Sequence, residues 1–214
     1  SLNFLLIIAC VICHNKLAIS QDIHFSQYNG SLLNANPAFT GFFDGDHRVG
    51  AIYRSQWQTV PVSYSTFSLF GVTKLKTKNM KSDRIGVGLL FNNDKAGYAN
   101  YSINQFYLSG SYIHKLNSDS TLLWSNGLNV GFSNVAFNYN KMTFDNQYDG
   151  NNYNASYSTG ENFAKNATNY ADVTLGSAIK YMFKQRAFVQ YGLTYSHVNT
   201  PKITFQNNTS IKID

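Results

Sequence analysis

The side chains able to do chemistry in this 214-residue chain are few and widely spaced. Its five histidines, His14, His24, His47, His114 and His197, form no cluster along the sequence. Cys10 and His14 have the spacing of two ligands on one helical face, but both sit in an apolar leader. Asp22 and His24 share one side of an extended segment, and no neighbour supplies a third ligand. Asp145, Asp149 and Glu161 offer carboxylates for calcium. They lack the run of ligands at alternate positions, and the turn glycine, that a calcium loop requires. No Gly-rich phosphate loop leads into a helix, and no nucleophile has a base at matched spacing. The chain is therefore expected to have no catalytic residues, no cofactor and no metal, and it is not read as an enzyme. Its histidines are expected at solvent-facing or interfacial positions.

What the sequence does supply is contact chemistry. Six residues stand out as partner-binding candidates: Trp57 and Pro61 beside a very short connection, and Phe144, Tyr148, Tyr153 and Tyr157 in a long Asn- and Tyr-rich region. Tyr and Asn provide rigid contact area and adaptable hydrogen bonds at low entropic cost. The region carries little charge, so recognition through it is expected to depend weakly on salt. The formal charge of +6 owes much to one stretch, KLKTKNMKSDR, from Lys74 to Arg84. That stretch falls between two strands and reads as a solvated turn. Nucleic acid is not an expected partner, because the basic residues are not spread along a face among stacking aromatics.

These contact residues need elements to position them. Residues 1–20 read as a signal peptide, with an apolar core from Leu2 to Cys13 and small residues at Ala18 and Ser20. Cleavage is expected before Gln21. Cys10 would be the acylated residue of a lipoprotein, but the apolar run continues past it to Cys13. Both cysteines leave with the leader, so the mature chain is expected to hold together without disulfides. No later run approaches the ~18 apolar residues of a spanning helix.

Beyond Gly41 the sequence alternates with period two. RIGVGLLFNN sets Ile85, Val87, Leu89 and Phe91 against Arg84, Gly86, Gly88 and Asn92. TLLWSNGLNVGF sets Trp124, Leu128, Val130 and Phe132 against Ser125, Gly127, Asn129 and Gly131. At least seven such segments occur, many about ten residues long. Ile52, Leu90 and Tyr107 interrupt the pattern by falling on the polar side. Charged residues make up only 13% of the chain and aromatics 15%. Long strands with one apolar, aromatic face and one small, polar face match an antiparallel transmembrane β-barrel. The expected division is a signal peptide at 1–20, a periplasmic or lumenal N-terminal segment at 21–46, and barrel strands and loops at 47–214. The final stretch TSIKID has no closing aromatic strand, so this chain is expected to cover part of a larger barrel.

Two stretches near the start, QDIHFSQY (Gln21 to Tyr28) and NANPAFTG (Asn34 to Gly41), resemble the opening of mature PorP/SprF-family proteins. YRSQWQTVP (Tyr53 to Pro61), NKMTFDNQYD and GLTYSHVNTPKITF (Gly192 to Phe205) are similar to later motifs of that family, with Thr194 where the family has Ser. The resemblance implies an outer-membrane barrel of the Bacteroidetes type IX secretion and gliding machinery. It would help to secrete or anchor a large cell-surface protein of adhesin type. The implied partners are outer-membrane lipid, that surface protein and other secretion-system subunits. The competing expectation is a general diffusion porin or small-solute channel. The Asn-rich opening is expected either to plug the lumen, to lie beneath the barrel, or to be a polar lead-in to the first strand.

Overall fold

The computed structural model describes residues 30–57, 59, 63–75, 83–161, 165–184, 187–205 and 211–212. The leader with its expected cleavage before Gln21, together with Asp22, His24, Pro61 and most of the Lys74 to Arg84 turn, lies outside them.

Seven strands follow one another in both sequence and space: β1 (His47–Gln56), β2 (Tyr64–Leu75), β3 (Arg84–Ala96), β4 (Tyr101–Lys115), β5 (Leu122–Ala136), β6 (Ala167–Lys184) and β7 (Ala187–Tyr195). Every neighbouring pair is antiparallel, and the sheet curls into half a barrel. After Tyr195 the chain leaves this sheet, and a two-residue strand β8 (Lys202–Ile203) pairs with β9 (Ile211–Lys212). Strand lengths run from 9 residues in β7 to 18 in β6, enough to cross a hydrocarbon layer at a tilt. No helix among the described residues is long and apolar enough to cross a membrane.

The period-two pattern settles the two faces. Val49, Leu89, Leu108, Val130 and Leu193 all point to the convex side and are exposed, Leu193 at 82%. Ser68, Ser109, Ser125 and Ser133 point to the concave side and are fully buried. Apolar side chains facing out around polar ones inverts the rule for water-soluble sheets and suits lipid outside.

Residues 30–46 cover the concave face. They form a short helix, Leu32–Ala35, and a 3-10 turn, Pro37–Phe39. Leu33 packs among Phe70, Val72, Leu90 and Tyr107, while Ala38, Phe39 and Phe42 pack with Ile113 and Ala178. Two of the residues that broke the alternation, Leu90 and Tyr107, thereby find apolar partners. They face inward because an apolar knob from the N-terminal segment meets them there. Approach is close enough to demand glycine at the seat. A Cβ at Gly86 would overlap the Thr40 carbonyl, and one at Gly127 would overlap the Pro37–Ala38 peptide.

Candidate functional site

The concave seat reads the NANPAFTG stretch side chain by side chain. Asn36 donates through Nδ2 to the carbonyls of Ser177 (3.2 Å) and Leu193 (3.1 Å), while its Oδ1 accepts from the Ala38 N–H at 2.8 Å. Pro37 opens the 3-10 turn, where a missing N–H costs nothing. Ser125 donates to the Ala38 carbonyl at 2.7 Å, Ser111 donates to the Thr40 carbonyl, and the Thr40 hydroxyl bonds Ser109. Small hydroxyl residues on the inward face are what allow a backbone to lie against a sheet with its polar groups satisfied.

One polar chain crosses the concave face from this segment to the far edge. Asn92 donates to Asn34 Oδ1 at 2.7 Å and to Gln105 Oε1 at 3.2 Å, and Gln105 donates to the Tyr107 hydroxyl at 3.3 Å. Tyr107 donates to Asp172 Oδ2 at 2.8 Å. Asp172 Oδ1 accepts from His197 Nδ1 at 2.9 Å, which fixes the proton on that nitrogen because a carboxylate can only accept. His197 is buried, not solvent-facing or interfacial as expected. It lies in a turn that folds back along β6: the Val198 N–H donates to the Val173 carbonyl, and Asn199 donates to Ala171. A buried carboxylate needs partners for both oxygens, and here it has them. The sequence hint was a lone Asp on the polar side of a strand; the missing knowledge was which distant donor reaches it.

The expected recognition residues that the structure describes, all but Pro61, lie at one end of the sheet. Residues 137–166 join β5 to β6, and the described part up to residue 161 is more tightly hydrogen-bonded than its composition suggests. Buried Gln147 organises them: its Oε1 accepts from the Phe144 N–H, its Nε2 donates to the Tyr157 carbonyl, and its own carbonyl accepts from Asn154 at 2.8 Å. Tyr148 and Tyr153 form a β-bridge. Asp149 accepts from the N–H groups of Asn152 (2.7 Å) and Asn151 (2.9 Å), which hold its carboxyl below the ordinary carboxylate range. Phe144, Tyr148, Tyr153 and Tyr157 are thus brought together, the three tyrosines exposed and Phe144 half-buried. Trp57 stands at the β1–β2 connection with a left-handed backbone and an edge-on contact to Tyr64. The sequence reading missed Gln147, since one amide among many Asn and Gln residues carries no local mark. Among the described residues no three His, Cys, Asp or Glu side chains are grouped to hold a metal.

No curated protein and no solved structure matches the chain. The family model described as type IX secretion system membrane protein PorP/SprF matches residues 18–214. That match spans the seat, the curled sheet and the aromatic loop, and the chain belongs to the PorP/SprF family of type IX secretion membrane proteins.

Proposed function

We propose that this chain sits in the outer membrane as part of a barrel that holds a large secreted surface protein, of adhesin type, at the cell surface. The docking face is the loop of residues 137–166. The observation that carries this reading is the Gln147 anchor, which makes a composed platform from a tyrosine-rich connection. Three exposed tyrosines on an ordered loop provide contact area with little entropy left to lose. The exposed apolar convex face supports lipid as the surrounding solvent. Family membership supports other secretion-system subunits as further partners, and on this reading the role is retention rather than catalysis. The segment packed on the concave face favours holding over free diffusion of solutes, the competing reading.

Deletion of residues 146–166 is the test. The shortened chain is expected to insert and keep heat-modifiable migration, while the surface protein no longer co-purifies from detergent. An inserted barrel that still retains its partner would remove the loop from the docking role.

A further inference from the structure

A second site lies at the opposite end of the sheet, where the short turns are. A cavity of about 170 Å³ opens there beneath the point where Gly41 to Asp44 leave the concave seat. Four cationic side chains from four strands line it: Lys74 at the end of β2, Arg84 at the start of β3, Lys115 at the end of β4 and Lys180 on β6. The lining contains one carboxylate, Asp44, which is itself exposed. Asp83, next to Arg84, is committed elsewhere, accepting from the Tyr112 hydroxyl, His114 Nδ1 and the Lys115 N–H.

Two of the four cations are buried, Lys74 and Lys180, each 7% exposed. Lys74 Nζ donates to the Phe43 carbonyl and lies 4.6 Å above the Phe43 ring. Lys180 Nζ lies 4.3 Å above the Phe188 ring. For Lys180, a ring face offsets only part of the cost of burying an ammonium group. Among the described residues, the side chains of Arg84, Lys115 and Lys180 have no carboxylate partner. Converging cations with so little opposing charge raise the local concentration of anions.

We infer that this cavity binds a phosphate group. The Arg84 guanidinium supplies a fork that matches phosphate oxygens, and the ammonium groups of Lys115 and Lys180 line the cavity from other strands as point charges. Convergence from several sides suits a tetrahedral anion better than a planar carboxylate. The phosphate is either free or carried on a lipid headgroup at the membrane interface.

The test uses the full chain purified in neutral detergent. Equilibrium dialysis against inorganic phosphate, at constant ionic strength set with chloride, is expected to show saturable uptake. Lys115→Gln, at a half-buried position, and the pair Arg84→Gln with Lys180→Met should each weaken it by about tenfold or more. Heat-modifiable migration identifies which variants remain folded. In parallel, nanodiscs with phosphatidic acid are compared with nanodiscs of phosphatidylcholine alone. Saturable uptake of phosphate assigns the free anion. A rise in the heat-modification midpoint with phosphatidic acid only, lost in folded Lys115→Gln, assigns the headgroup. The inference fails if the wild type responds to neither, or if folded variants respond as the wild type does.

Discussion

Leu89 and Gly88 are neighbours in β3 and answer to different surroundings. Leu89 is exposed on the convex side, whereas a Cβ at Gly88 would press on Val72 and Leu33. Leu89→Arg or Val130→Arg is expected to cost ~2–4 kcal/mol near the midplane, measured by denaturant titration of folding into vesicles. Asn129→Arg, from a buried position beside Leu33, Asn34 and Asp172, should instead loosen the N-terminal segment and expose it to protease. Equal losses of bilayer folding at both kinds of site would refute the assigned facing. Asp83 supports a separate prediction at the turn end of β3. The Tyr112 hydroxyl first, and His114 second, hold its carboxyl below the ordinary range. A depressed folded pKa stabilises above the unfolded value and is lost as pH falls through the folded one. The stability gap between wild type and Asp83→Asn should therefore be present at neutral pH and close as pH drops below about 4. A gap that widens on acidification would refute the assignment.

At the scale of elements, β1 to β7 were legible in the sequence because alternation is a local property: Leu89, Phe91 and their polar neighbours declare their faces without reference to anything distant. The seat of residues 30–46 was legible only as three open possibilities. Its determinants, Gly86 beneath Thr40 and Gly127 beneath Pro37, are set by strands far along the chain. In sequence these glycines look like ordinary members of a small, polar face. Gly127→Val should displace the 3-10 turn while leaving β4 to β6 paired. Limited proteolysis should then cut between residues 30 and 46 in an otherwise heat-modifiable protein. Persistent protection of that segment would mean that the contact at Gly127 does not position it. The rim was half legible: Tyr148, Tyr153 and Tyr157 were picked for their chemistry, but the order imposed by Gln147 depends on backbone contacts that composition does not report.

For the whole molecule, the sheet has two edges, β1 and β7, and its β-barrel character follows from what those edges need. A row of unpaired N–H and C=O groups in hydrocarbon costs several kcal/mol per group. Both edges therefore require partner strands once the sheet is in a bilayer. Part of the β6 edge is already served by the His197 to Asn199 turn, where Asn199 both accepts from the Val173 N–H and donates to Ala171. The concave seat also imposes an order of events. Asn36 reaches Leu193 across 157 positions, so a segment made before all seven strands cannot find this hydrogen-bond partner until β7 exists. Contacts of such sequence separation form slowly. Docking of residues 30–46 is therefore expected to come late in folding, and in the interval before it Leu33, Phe39 and Phe42 stay unburied, as apolar side chains that a holdase chaperone could grip.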